Sequence, residues 1–385
     1  MVQSKLPNTS ISIFSTINQL IEEHNAIDLA LGKTDFKCSQ ELIDLAYKYL
    51  NDGYNNYAPL EGILSLRKEI SQEVKRNYGH EYNPETEVTI TAGAIQAIYT
   101  AISTIVKDDD EVIIFEPAFE SFAPSIIVNG GRPVYMKLKA PTFKIDWEEL
   151  RKMVTSKTRM IVLNSPHNPS GSVLSENDLL QLQRLTNGTN IIILSDEIFE
   201  SIIYDNQIHQ SVSRFEKLVE RSFVISSFGP LYNINGWAIS YCLAPEKLMR
   251  EFRKMQQIQL YNVNAPLQYA LAEYLPKHHS FEEVSELYQG KRNYFNRLLE
   301  GSLYEIVYAQ GGYFQLLDYS RLSDEPDVQF AERLTRDFGI ATLPASAFYH
   351  EKSKSKYIRI CFAKDNEKLE RAAEKLLQVP SITGL

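Results

Sequence analysis

Seven short runs rich in β-branched residues recur through the middle of this 385-residue chain, with helical patterns between them. The runs are EVTITA (87–92), EVIIFEP (111–117), PVYMKL (133–138), RMIVLNSP (159–166), NIIILSDE (190–197), FVISSFG (223–229) and ISYCLAP (239–245). Several are apolar from end to end, as strands buried on both faces are. A helix is expected over 94–106. Another is expected after Ser175, where an acid, Asp178, follows the N-cap serine by three residues, ahead of Leu179, Leu180 and Leu182. This alternation predicts an α/β fold, a mainly parallel seven-stranded sheet covered by helices on both faces. Sheets of this kind bind ligands at the carboxyl ends of their strands, so the residues that follow each strand are where chemistry is expected.

From about residue 281 the pattern changes. A long helical stretch leads to short strands at YEIVYA and YFQLLDY, a helix at DVQFAERLTRDFG, strands at IATLPAS and YIRICFA, and a last helix. That helix carries Leu369, Ala372, Ala373, Leu376 and Leu377 as one apolar stripe. The expected organisation is a large α/β domain over 30–280 and a smaller α+β domain built from 1–29 and 281–385.

Composition narrows the function classes. Lys and Arg number 40 against 49 Asp and Glu, a net charge of −9, with no basic run, which argues against nucleic acid as a partner. No stretch approaches the roughly 20 apolar residues of a membrane-spanning helix. The three cysteines, Cys38, Cys242 and Cys361, are too scattered for a disulfide frame or a metal site. The opening MVQSKLPNTSISIF has no apolar core of a secretory signal, and a cytoplasmic location is expected.

The strand ends hold an unusual set: Gly93-Ala94-Ile95 opening a helix, Asn164 to Asn168 in NSPHNPSG, Asp196 in SDEIFE and Ser227 in SSFG, while Arg359 sits within a strand, YIRICFA. With YNNYAPLEGILSLR and FEPAFESFAPSI, these landmarks stand in the order found in a known family. The chain resembles the fold-type I aminotransferases that use pyridoxal 5′-phosphate (PLP), class I/II, nearest the methionine and kynurenine aminotransferases. The resemblance implies a homodimer, a PLP-transferase fold, and exchange of an amino group between amino acids and 2-oxo acids. It further implies that Asp196 faces the pyridine nitrogen, Phe119 stacks on the ring and Asn168 reaches the phenolic oxygen. Gly93, Ala94, Ile95 and Ser227 would cradle the phosphate, with Tyr57 reaching it from the neighbouring subunit. Gly32 and Arg359 would border the substrate, Arg359 clamping its carboxylate.

The departures from that pattern are as informative. Where the family carries the lysine that bonds PLP, this chain has Pro230, which has neither amine nor backbone N–H. Ala238 stands where a Lys or Arg pairs with the phosphate, and Phe199 where a tyrosine donates to the phenolic oxygen. A charge-assisted bond is worth about 1.5–3 kcal/mol, so losing the phosphate partner alone weakens binding roughly 10–100-fold. These losses imply a non-catalytic homologue that holds PLP non-covalently at most and retains an amino-acid-like or cofactor-like pocket. Two alternatives stand beside it: a lysine-independent enzyme using PLP or its amine form, and a structural or regulatory partner of an active paralogue. His167 and Trp237 are expected to be structural.

Overall fold

The computed structural model describes residues 3–7, 12–278, 281–351 and 355–381. The expected domain limits at 1, 280 and 385 lie outside these residues. The first strand, β1 (Ile27–Asp28), stands apart from the main sheet. The main sheet has seven strands: β2 (Val88–Thr91), β3 (Glu111–Glu116), β4 (Arg132–Lys137), β5 (Thr158–Asn164), β6 (Ile192–Asp196), β7 (Ser222–Ser227) and β8 (Ser240–Leu243). They are the seven runs read from the sequence. Their spatial order is β2-β8-β7-β6-β5-β3-β4, and β8 alone runs against its neighbours.

The two-residue period of a strand explains why these runs are apolar throughout. Ile113, Ile161, Ile193 and Val224 face one layer, packing with Leu179, Leu182 and Leu218. Ile114, Val162, Leu194 and Ile225 face the other, packing with Ala97, Ile98, Ala101 and Ile102 of the Ala94–Ile105 helix. The helix Glu176–Thr186 starts as its sequence dictates: Ser175 Oγ accepts from the Asp178 N–H, and the Asp178 carboxylate accepts from the Ser175 N–H. Such a cap is worth about 1 kcal/mol.

The C-terminal part forms a four-stranded antiparallel sheet in the order β12-β13-β10-β9, from β9 (Glu305–Val307), β10 (Phe314–Asp318), β12 (Leu343–Pro344) and β13 (Tyr357–Cys361). The IATLPAS run, read as one strand, is divided in two. Its first residues form β11 (Ile340–Ala341), which pairs in parallel with β1, while β12 turns to join β13. Pro344 has no N–H to extend a ladder, which suits the end of a short edge strand. The N-terminal helix Ile13–His24 seats Ile17 and Leu20 against Ala341, Leu343 and Phe348. In the last helix, Leu369, Ala372, Ala373 and Leu376 are buried, but Leu377 is exposed. It is the final helical residue and lies at the margin of the stripe.

A loop after β5 ties the two sheets together. The His167 N–H donates to the Ser172 carbonyl and the Gly171 N–H to the His167 carbonyl, at 2.8 and 2.7 Å. The Gly171 carbonyl then accepts from Gln310 and Gly311, at 2.8 and 3.0 Å. Gly171 has φ +72°, and a Cβ there would stand 2.5 Å from Ala309 Cβ. Gly171→Ala is therefore expected to lower unfolding free energy by about 2–4 kcal/mol, from left-handed strain plus overpacking, as read by urea denaturation.

Candidate functional site

The registers of the main sheet bring four polar side chains to one edge. Asn164 pairs with Asp196 across β5 and β6, and Ser227 pairs with Ser240 across β7 and β8. All four line a cavity of about 340 Å³ at the strand ends. Gly93, Ala94 and Ile95 at the helix start, Phe119, Asn168, Phe199, Pro230 and Ala238 join them in its wall. Most of the residues that the sequence singled out, all but Gly32, Tyr57 and Arg359 among the expected site residues, thus meet in one place, although up to 145 positions separate them (Gly93 to Ala238).

Asp196 is 3% exposed, and its Oδ1 accepts from the Ile198 N–H at 3.3 Å. Burial, and secondarily the adjacent Glu197, pushes its carboxyl up to about 7. The backbone N–H of Asn168 donates to Asn164 Oδ1 at 2.8 Å, and Asn168 Oδ1 accepts from Arg359 Nη1 at 2.8 Å. Phe199 sits edge-on to Tyr313, with ring centroids 4.9 Å apart, so aromatic surface forms much of the wall. Among the described residues, the ionisable side chains lining the cavity are Asp196 and Tyr313; no lysine, arginine or histidine is among them.

The start of the Ala94–Ile105 helix has no side-chain cap, because Gly93, at φ +83°, precedes it. Its first-turn N–H groups are left for an oxygen from elsewhere. Ala238 is close by: a Cβ on Gly93 would lie 3.7 Å from Ala238 Cβ. Pro230 belongs to the short helix Phe228–Tyr232, capped by Ser227 Oγ accepting from the Gly229 N–H at 3.2 Å. Proline is tolerated there because the first turn of a helix has no intrahelical use for that N–H.

Other expected site residues lie outside the cavity wall. Arg359 is buried one layer behind: Nη2 donates to the Ala30 carbonyl at 2.6 Å, Nε is unpartnered, and the guanidinium lies 3.9 Å from the Phe314 ring centroid. Burial lowers its affinity for its proton, to about 10. Gly32 faces the same aromatic pair, since a Cβ there would meet Phe314 Cζ at 3.1 Å and Tyr313 at 3.6 Å. Tyr57 is exposed and stacks edge-on with Tyr261 at 4.7 Å, lining a separate surface cavity. His167 is buried, with Nδ1 bonded to Ser170 Oγ at 2.6 Å, and burial lowers it to about 4. Trp237 is half-buried against the main core. Four more polar residues line the cavity: Asn164 and Asn235, which stand in runs noted from the sequence but were given no role there, and Ser240 and Tyr313, which were not singled out. Asn164 and Ser240 each sit at a strand terminus, a signal that was present; Tyr313, in the bend before β10, had none.

On the other face of β6, Glu197 accepts from Ser195 Oγ at 2.7 Å and the Val212 N–H at 3.2 Å, and pairs with His209 Nε2 at 2.9 Å. Glu200 is held by the hydroxyls of Tyr78, Ser226 and Tyr241. Glu197, Glu200 and His209 bring three possible metal-ligand atoms within 4.8 Å of one another. Hydrogen bonds already occupy the carboxylates, so the group is a buried polar network backing Asp196.

Because the Asp196 carboxyl is raised above its ordinary range, the folded state holds that proton more tightly than the unfolded chain. Its contribution is therefore fully present at acid pH and is lost as pH rises from about 4 to about 7. The stability of an Asp196→Asn variant relative to the unaltered chain should rise across that window, as thermal melts over a pH series will read.

The cavity stands in a chain with clear relatives. Residues 24–376 match the family model described as aminotransferase class I and II. The chain is 39% identical to the methionine aminotransferase of Escherichia coli strain K12 over 380 residues, covering 98% of each. It is 31% identical to aromatic-amino-acid aminotransferase 2 of Thermococcus litoralis over 366 residues, covering 92% of this chain and 91% of that one. A solved Escherichia coli structure, reported with a methionine aminotransferase function, superposes with TM-score 0.95 at 38% identity, covering 98% of this chain and 99% of its own. The N-succinyldiaminopimelate aminotransferase of Mycobacterium tuberculosis also gives a TM-score of 0.95, at 28% identity, covering 98% and 100%. By sequence and by fold, this chain belongs to the class I and II aminotransferases, and its sheet is that of their PLP-dependent fold type I.

Proposed function

We propose that this chain is a non-catalytic member of the aminotransferase family whose strand-end cavity binds a small ligand without bonding to it. The family uses PLP, which is held through an amine and serves as an electron sink when bound. The observation that carries the reading is the cavity wall itself. It offers Pro230 where the family's sequence pattern has its lysine, and Ala238 and Phe199 where it has a cation and a tyrosine. A cofactor that must be bonded and charge-balanced does not fit this wall. What remains fits a flat ring held by weaker means: Asp196 can take a hydrogen, Asn168 can offer its NH₂, Phe119 and Phe199 supply apolar faces, and the helix start supplies N–H donors.

An amino-acid or 2-oxo-acid carboxylate is part of this reading as a ligand group met by Asn168, which Arg359 Nη1 holds from behind at 2.8 Å. A homodimer belongs to the same reading. Tyr47, Tyr57, Ile258 and Tyr261 leave 68, 74, 77 and 70% of their surfaces exposed, which is costly for an isolated chain. No described helix is long and apolar enough to cross a membrane. The three cysteines are free, which suits a reducing, cytoplasmic setting.

The test is spectral and catalytic together. The purified protein mixed with PLP is expected to leave the cofactor's absorption in its free form, and to show no turnover of an amino-acid panel with 2-oxo acids. Pro230→Lys combined with Ala238→Arg and Phe199→Tyr is expected to shift that absorption to the bound form. Turnover by the unaltered chain, or an absorption shift in it, overturns the proposal.

A further inference from the structure

The charge balance of the cavity narrows its ligand beyond the reading above, on which this inference rests. We propose that the cavity takes an aromatic nitrogen heterocycle that brings a hydrogen to Asp196 and carries no phosphate.

Three observations carry it. The first is Asp196: a carboxyl 3% exposed, with one backbone N–H at 3.3 Å as its partner and no cationic side chain in the cavity wall. Such a group is stabilised by a ligand N–H, or by a protonated ring nitrogen that neutralises it. The second is the wall. Phe119, Phe199 and Tyr313 bound a space of about 340 Å³, suited to a single flat ring with short substituents.

The third is the end that a phosphate would occupy. Ala238 puts a methyl group beside Gly93, at the start of the Ala94–Ile105 helix. The helix N–H groups can donate to a neutral hydroxyl or carbonyl oxygen, and so can the Ser227 hydroxyl, whose oxygen already accepts from Ser240 Oγ at 2.9 Å. A phosphate ester would bring about −1.5 to −2 charges into the same space as the Asp196 carboxyl, with no side-chain cation to answer them. Arg359 does not answer them, because it meets the cavity only through Asn168, is hydrogen-bonded to the Ala30 carbonyl and lies against Phe14, Phe314 and Phe348. An unphosphorylated ring with a protonated nitrogen leaves the pair neutral.

Pyridoxine and pyridoxine 5′-phosphate are the matched probes. They differ only in the phosphate, and neither has an aldehyde, so covalent chemistry plays no part in the comparison. In isothermal titration near neutral pH, pyridoxine is expected to bind about tenfold more tightly than its phosphate ester. Asp196→Asn should weaken pyridoxine by about tenfold, and Ala238→Arg should tighten the ester by a similar factor, with circular dichroism verifying that both variants are folded. Equal or tighter binding of the ester by the unaltered chain overturns the inference, as does binding of neither probe. Covalent capture of PLP would instead overturn the preceding reading, so the two failures are distinct.

Discussion

The parallel ladder between β5 and β6 is the constraint on which the site depends. By placing Asn164 opposite Asp196, it fixes both at the carboxyl edge of the sheet. From there the rest follows: Asn164 Oδ1 accepts from the Asn168 N–H, Asn168 meets Arg359, and Arg359 reaches back to the Ala30 carbonyl beside β1. One chain of hydrogen bonds thus connects the main sheet to the smaller one. A one-residue slip in β6 would turn Asp196 away and bring Glu197 to the cavity, because side chains alternate along a strand. The network around Glu197, with Ser195, Val212 and His209, holds that register from behind.

Pro230 is accommodated by the backbone at low cost. It sits in the first turn of a helix, where a missing N–H costs little. Ala238 adopts φ +52°, and it ends a short turn that closes on the backbone whatever its side chain. Neither position asks the backbone for anything that only a basic residue supplies. Asp196 and Asn168 line the cavity, Arg359 holds Asn168 from behind, and no lysine or arginine is among the described residues that line it. Among the described residues, the Asp196 carboxyl and the Tyr313 phenol are the ionisable groups that face the space.

Much of this was legible in the sequence. The seven apolar runs became the seven strands, and Ser175 with Asp178 marked a helix start that forms as expected. Local periodicity carries that information, as do strand-end positions for Asp196 and Ser227. What was not legible depended on long-range packing. Nothing local marks Tyr313 as a neighbour of Phe199, since 114 positions separate the turn after β6 from the bend before β10 and only packing in a shared core brings the rings together. Nothing local shows that the Arg359 guanidinium would be buried among three rings rather than in the cavity wall. The splitting of IATLPAS between two sheets was hidden for the same reason: pairing partners, not composition, divide it.

No lysine is among the described residues lining the cavity, so the proposed reading has no amine there for an aldehyde to bond. Intact-mass measurement tests it most directly, after the protein is incubated with PLP, reduced with borohydride and freed of excess cofactor. The expected result is an unmodified mass, with any trace labelling spread over surface lysines on peptide mapping. Stoichiometric addition of one reduced cofactor at a single lysine would contradict the account.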